Sequence, residues 1–233
     1  IEEIQTKFLV GADGSHSKVA VSTNLSQNTK FLFGYEKVYF GDVHLGDNPE
    51  ETIYHFWFGE FSLGYGGWLS PTIVDGKKAF RIGLAKNEHE RGKANELLDK
   101  FTHRLVNDGV ISIEGDVKDS GYTFGSLIPM SGTLKRIYKD GVLLIGDAAG
   151  LCGAFAADGI KGSVVSGKIS AELINRYLKG DTDAPGELIS RINNYNSLIN
   201  YYRRQMRYRW IWDRMKSNRT FTAMFEIIQA ERD

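Results

Sequence analysis

Cysteine is almost missing from this chain. Cys152 is the only one in 233 residues, which excludes an internal disulfide and suits a reducing compartment. Net formal charge is zero, so there is no bulk positive field of the kind that draws nucleic acid. No segment approaches the roughly 18 uninterrupted apolar residues of a membrane span, and the first residues show no signal-peptide pattern. A cytoplasmic protein with no nucleic-acid partner and no metal site is expected. An initiator methionine is missing too: the chain opens at Ile1, inside what reads as a domain. It is therefore expected to be the C-terminal portion of a longer protein. The length allows one or two domains. A composition of 42% hydrophobic and 25% charged residues is the ordinary balance of a folded, soluble chain.

The stretch at 142–167, VLLIGDAAGLCGAFAADGIKGSVVSG, organises the rest. Val142, Leu143, Leu144 and Ile145 form an apolar run without polar alternation, which predicts a strand buried on both faces. Gly146 and Asp147 end it. Small residues follow: Ala148, Ala149, Gly150, Gly153, Ala154, Ala156 and Ala157. Asp158-Gly159 reads as a turn and N-cap. Ile160, Val164, Ile169, Leu173 and Tyr177 then recur near helical spacing, with Gly180 at the stop. Strand, small-residue loop and helix start is an arrangement that holds cofactors. Small side chains expose the backbone, and the free N–H groups of a helix start attract negative charge by about 0.3–1 kcal/mol. Asp147 would stand at the carboxyl end of its strand, where open α/β sheets bind ligands. The same residues would equally serve close packing of a helix on a sheet.

The order Gly146-Asp147-Ala148-Ala149-Gly150, then Asp158-Gly159-Ile160 and a helix, resembles the second FAD motif of the aromatic-hydroxylase and geranylgeranyl reductase superfamily. The resemblance implies an aspartate on the ribityl chain and a Gly-Ile helix start facing the pyrimidine edge of the isoalloxazine. Ala154 stands where that family usually has Pro, and Ala157 where it usually has Gly. At 12–19, Ala-Asp-Gly-Ser-His-Ser-Lys-Val resembles the superfamily's internal ADGxxSxVR motif. That motif contacts the FAD pyrophosphate region and, in some members, the nicotinamide cofactor. Its Arg falls on Ala20; Lys18 is a nearby cation, but a point charge without the guanidinium fork. By its residues alone the same stretch reads as a solvated helix start. The cofactor-binding residues so implied are Asp13, Gly14, Gly146, Asp147, Ala148, Ala149, Gly159, Ile160 and Lys161, the last placed to add charge near an anionic reduced flavin. The GxGxxG segment that opens such proteins is not in the sequence. The missing N-terminal segment of the same protein is thus an expected partner. FAD is expected to be incompletely held or absent, and this chain on its own inactive.

Between the two motifs, alternation predicts strands at 36–45, 52–58 and 78–85, after a short buried strand at 7–10. Strands in succession imply an antiparallel sheet. Phe56, Trp57, Phe58, Phe61, Tyr65 and Trp68 fall close together. Burying each is worth about 1.5–3 kcal/mol, so they either form a core, the default, or line an apolar ligand site; Tyr54, Phe56 and Phe58 on one strand face and His55 and Trp57 on the other favour one face in a core and the other on a ligand. Gly67-Trp68-Leu69-Ser70-Pro71 resembles the YxWxFP motif that lines the substrate tunnel of geranylgeranyl reductases. Trp68 and Pro71 match, Ser70 replaces Phe, and Tyr65 stands one residue early. The substrate residues so implied are Phe56, Tyr65, Trp68 and Pro71. Residues 125–129 resemble the GxxxP return to the FAD domain. A helix is predicted at 93–106 over the sheet, a polar connection at 115–122, a turn-rich linker at 181–186, and one long helix over 188–215. That helix carries Arg203, Arg204, Arg207, Arg209, Arg214 and Lys216 among Tyr201, Tyr202, Tyr208, Trp210 and Trp212. The pattern fits either packing with solvated arginines or peripheral contact with an anionic membrane.

The expected fold is α/β and α+β. It comprises a Rossmann-like FAD-domain segment at 1–35, an inserted antiparallel sheet that binds substrate at 36–130, an FAD-domain return at 131–180 and C-terminal helices at 181–233. The resemblance implies an FAD-dependent oxidoreductase that reduces carbon–carbon double bonds of an isoprenoid or other lipid by hydride transfer from reduced flavin. The electron donor would be NAD(P)H or a ferredoxin-like protein. A flavin monooxygenase on the same fold and a non-catalytic binding fragment are the alternatives; the WxWxIP motif of halogenases is absent. No general acid stands out, with His55, Tyr65 and Tyr122 as candidates, and Cys152 reads as buried filler.

Overall fold

The structure, a computed structural model, describes residues 3–45, 54–62, 64–117, 122–215 and 217–230. In chain order the strands are β1 (Leu9–Gly11), β2 (Phe31–Val43), β3 (His55–Trp57), β4 (Gly64–Val74), β5 (Lys77–Asn87), β6 (Ile111–Ile113), β7 (Tyr122–Pro129), β8 (Tyr138–Lys139) and β9 (Val142–Leu144). The α-helices are α1 (Lys18–Ser22), α2 (Ala94–Asn107), α3 (Gly159–Leu178), α4 (Leu188–Asn194), α5 (Leu198–Trp212) and α6 (Asn218–Ala230). The fold is thus the mixed α/β and α+β class that the patterning predicts. The chain divides into two units, one of Ile1–Phe31 with Leu127–Trp210, the other of Leu32–Ser126 with Ile211–Asp233. Residues 181–233 are shared between them: α4 and most of α5 belong to the first unit, α6 to the second.

In the first unit β1 runs parallel to β9, with Leu9, Val10 and Gly11 opposite Val142, Leu143 and Leu144, and β8 adds antiparallel to β9. Parallel strands require a long connection; here the sequence of the second unit is inserted between them. Leu143 and Leu144 are buried with Leu151, Leu173, Leu188 and Ile192. Val142 and Ile145, at the ends of the apolar run, are half-buried. The single helix predicted over 188–215 is two helices. Asn196 and Ser197 both take φ of 52°, and the chain breaks between α4 and α5. Asn enters the left-handed region more readily than most residues, and Asn and Ser side chains compete for backbone hydrogen bonds.

In the second unit the sheet order is β3-β4-β5-β2-β6, with β7 also paired to β2. The pairs β2–β5, β2–β6, β3–β4 and β4–β5 are all antiparallel, as strands in succession imply. Asp75 and Gly76 join β4 to β5 with φ of 50° and 76°, the turn whose twist matches that of the flanking strands. The strand predicted from residue 36 begins earlier, at Phe31, and the Gly-Trp-Leu-Ser-Pro stretch is itself part of strand β4. Thr52, Ile53, residues 118–121 of the polar connection and Lys216 lie outside the described residues. α2 covers one face, where Leu98, Phe101 and Leu105 pack with Tyr39, Phe80, Ile82 and Leu84. Trp57 and Phe61 join that core, their ring centroids 5.6 and 4.5 Å from that of Phe101. Tyr54, Phe56 and Phe58 alternate away from it and stay exposed. Helix α6 falls within the region 181–233 expected to be helical, where no bounds are predicted beyond residue 215. Its start signal is Ser217, whose Oγ accepts from the Thr220 amide at 3.3 Å. Glu60 and Asn218 then hold it: the Glu60 amide donates to Asn218 Oδ1 at 2.9 Å, and the Asn218 amide donates to Glu60 Oε1 at 2.8 Å.

Lys37, on the face covered by α2, is only 5% exposed, and its Nζ donates to Asp99 Oδ1 at 2.5 Å. Removing the carboxylate strands a buried cation. Asp99→Ala is expected to lower the unfolding free energy by about 3 kcal/mol in urea denaturation, and Lys37→Met with Asp99→Leu to recover most of it. A loss below about 1 kcal/mol would mean the ammonium is hydrated rather than buried.

Candidate functional site

The site grows out of the end of β9. The chain turns at Gly146, where φ is 54° and a Cβ would stand 2.8 Å from Ser163 Oγ. One 3₁₀ turn, Gly146–Ala149, carries Asp147, and Gly150 closes it at φ 68°. α3 begins at Gly159. A Cβ there would lie 2.7 Å from Asp147 Oδ1, closer than real side chains come, so glycine is what admits the carboxylate to the helix start. Asp147 Oδ1 is buried and has no hydrogen-bond partner. Burial pushes the Asp147 carboxyl above its ordinary pKa. Asp158, expected to cap the helix, makes no side-chain cap bond. Its Oδ1 accepts instead from Gln205 Nε2 at 2.9 Å. The helix therefore starts without a side-chain cap, beside an orphaned carboxylate oxygen. An unsatisfied buried polar group costs about 1–3 kcal/mol, and a polar ligand at this point would remove that cost.

Around this point the sequence-predicted residues separate. Gly159, Ile160 and Lys161 form the first turn of α3, with Ile160 83% exposed and Lys161 exposed as well. Ala148 and Ala149 are buried in the core of the first unit, so their side chains anchor the turn rather than line a groove. Asp13 is engaged within its own loop, accepting from Ser17 Oγ at 2.6 Å and from the Val19 amide at 3.0 Å. Burial pushes its pKa up, but these bonds outweigh it and hold the carboxyl below its ordinary value. Gly14, at φ 81°, turns the chain into α1. Cys152 is buried, and burial raises the pKa of its thiol, as in an inert cysteine.

Two residues outside every motif hold these loops together. Asn28 Nδ2 donates to the Ser15 carbonyl at 3.0 Å and to the Asp147 carbonyl at 2.8 Å, which ties the 12–19 loop to the 146–150 turn. Gln205, 2% exposed on α5, accepts on Oε1 from the Phe155 and Ala156 amides at 3.0 and 2.7 Å, besides its bond to Asp158. That grip spans Ala157, whose φ is 55°. A polar amide on the buried side of an otherwise basic and aromatic helix was the one available sign of Gln205. Asn28 carried no sign in the sequence.

The implied substrate residues lie in the second unit. Phe56 and Trp68 are cross-strand partners and share a face. Trp68 Nε1 donates to Glu36 Oε2 at 2.7 Å, and the indole lies over Gly83, where a Cβ would stand 2.4 Å from its ring. Pro71 is paired with the fully buried Phe80, hence on the opposite face. Tyr65 is buried, its carbonyl accepting from Trp212 Nε1 at 3.2 Å. His55 alternates onto the α2 side with Trp57, its Nε2 buried without a partner, whereas Tyr122 is half-exposed on β7. Burial, followed by the charge of Glu36, raises the pKa of Tyr54.

Residues 1–184 match the family model described as FAD binding domain. The chain belongs to that family. Digeranylgeranylglycerophospholipid reductase 2 of Methanopyrus kandleri is 27% identical over 190 residues, covering 78% of this chain and 44% of that protein. The chain thus spans less than half the length of that relative. A solved geranylgeranyl bacteriochlorophyll reductase-like protein of Thermoplasma acidophilum superposes with a TM-score of 0.71 at 16% identity, over 91% of this chain and 51% of that one. A peptidyl tryptophan dihydroxylase superposes with a TM-score of 0.60 at 14% identity, over 92% and 47%. The structural likenesses establish the fold, and the family match supports FAD as the cofactor. The orphaned Asp147 oxygen and the side-chain-free Gly159 fit a ligand rich in hydroxyl and N–H groups.

An aspartate with a raised folded-state pKa binds its proton more tightly folded than unfolded. Its contribution therefore falls as pH rises from the ordinary carboxylate value, about 4, through the raised value. Asp147→Asn is expected to be more stable than the native chain at neutral pH, with the difference shrinking as pH falls through the raised value of Asp147 and gone below about 4. Urea denaturation at several pH values reads this, and a pH-independent difference would refute it. At Ala157 the left-handed backbone favours glycine, so Ala157→Gly is expected to raise stability by about 0.5–1 kcal/mol in the same assay.

Proposed function

We propose that the protein is an FAD-dependent oxidoreductase that reduces carbon–carbon double bonds of an isoprenoid lipid. The observation that carries this reading is the buried, unpartnered Oδ1 of Asp147, held against Gly159 at the uncapped start of α3. Asp147 would accept hydrogen bonds from the ribityl hydroxyls, and the first N–H groups of α3 would face the anionic edge of the ring system. Lys161, exposed in that same turn, would add positive charge. FAD, when bound, supplies the hydride chemistry; the chain's part is position and electrostatics. In the second unit Phe56 and Trp68 offer an apolar face, and Glu36 orients the indole. A polyprenyl chain suits such a surface, and the name of the Methanopyrus relative supports a lipid substrate. The reducing equivalents would come from NAD(P)H or a ferredoxin-like protein, and peripheral membrane contact would give access to the lipid.

The dihydroxylase neighbour favours a second reading, oxygen insertion on the same fold. The full-length protein, given a geranylgeranyl lipid and dithionite-reduced FAD under nitrogen, is expected to yield a product heavier by hydrogen alone in mass spectrometry. A product that gains oxygen, and forms only in air, would replace reduction by hydroxylation. Asp147→Ala should weaken FAD binding about tenfold in a fluorescence titration; unchanged affinity would remove Asp147 from the site.

A further inference from the structure

The segment joining β7 to β8 walls a cavity in the first unit, about 600 Å³ in volume, whose lining includes none of the residues assigned to the flavin site. That lies within the range of about 300–1,000 Å³ that small-molecule sites occupy. Lys135, Arg136 and Arg203 line it, and no Asp or Glu does. Elsewhere in the same unit Arg176 holds Asp181 and Glu187, and Arg191 holds Glu172. Among the described residues none of the three cavity cations has such a carboxylate. Arg136 Nη2 donates to the Asn24 carbonyl at 2.7 Å, and Arg203 Nη1 to Asn200 Oδ1 at 3.3 Å. Both acceptors are neutral, so they orient the guanidinium groups without cancelling their charge. In a chain of zero net charge, three uncompensated cations around one concavity make a local positive field.

The wall also carries hydroxyls. Ser131 Oγ accepts from the Thr29 and Lys30 amides at 2.7 and 3.1 Å, which leaves its proton free to donate. Ile189, Pro185 and Met206 make the remainder of the wall apolar. Two guanidinium groups, an ammonium and a donating hydroxyl are what a phosphate group recognises, and the apolar side gives its ester body a place to lie.

We propose that this cavity is a binding site for a phosphate ester, lined by none of the residues assigned to the flavin site, although its Leu134 amide donates to the Ala149 carbonyl at 3.1 Å. A soluble organophosphate and a phospholipid headgroup present the same chemistry. The exposed side of α5 next to Arg203, with Arg204, Arg207, Tyr208 and Trp210 and no acidic residue from 198 to 210, is compatible with either source.

The test titrates the 233-residue chain by calorimetry with glycerol 3-phosphate, and by sedimentation with phosphatidylcholine vesicles that contain or lack phosphatidylglycerol. Lys135→Gln with Arg203→Gln is expected to weaken binding by about tenfold or more. Lys168→Gln with Lys179→Gln removes the same charge from exposed positions on and beside α3, and should leave affinity unchanged; circular dichroism checks that both variants fold. Glycerol 3-phosphate binding that depends on the cavity pair supports a soluble ligand. Binding only to phosphatidylglycerol vesicles, with the same dependence, supports a lipid headgroup. An equal loss in the α3 control, or no binding to either probe, overturns the site.

Discussion

Gly159 has no side chain because Asp147 occupies the space a Cβ would fill, 2.7 Å from its Oδ1. The geometry around the start of α3 follows from that approach. β9 must end on the core side of the turn, Gly146 must take a left-handed φ, and α3 must begin without a side-chain cap. Folding alone gives no reason to bury a carboxylate oxygen without a donor, since a protein interior penalises it. The raised pKa of Asp147 is the same penalty in another form. Asn28, which bonds the Asp147 carbonyl, likewise keeps a buried Oδ1 without a partner, so the unsatisfied polar atoms gather where the two loops meet.

The means of holding that geometry lie outside the motifs. Asn28 ties the loop that carries Asp13 to the turn that carries Asp147 through their carbonyls. Gln205 grips the other side of the helix start from a distant helix and steadies Ala157 in the left-handed region. The family residue glycine would take that conformation with little strain. In this chain an amide side chain from α5 constrains the loop around an alanine. Asp13, meanwhile, holds its own helix start through Ser17 and the Val19 amide.

The second unit was legible in a different way. Alternation revealed an antiparallel sheet and the helix over it, because side chains on a pleated strand must point to opposite faces. It also separated Trp57 from Phe56 and Phe58. Alternation says nothing of which polar group an indole meets, and the Trp68–Glu36 bond joins residues 32 positions apart in sequence. The bounds of helix α6 are hidden for a related reason: reciprocal bonds between Glu60 and Asn218 hold its start, and no local window contains both residues. The break at Asn196 and Ser197, by contrast, was written locally, in a run of Asn and Ser whose side chains bond to backbone.

The amino-acid sequence by itself determined the class of fold, the strand–turn–helix around Asp147, and the kinship with FAD-binding proteins. Those features depend on periodicity and on short spacings, which survive without knowledge of what lies nearby. Only the tertiary structure decided that Asp147 is left without a partner, that Ala148 and Ala149 face the core, and that Asn28 and Gln205 hold the loops. It also decided that Lys135, Arg136 and Arg203 share one cavity. Each of those depends on contacts between residues far apart in the chain, and such contacts are set by packing, which acts on distances in space and leaves no periodic trace.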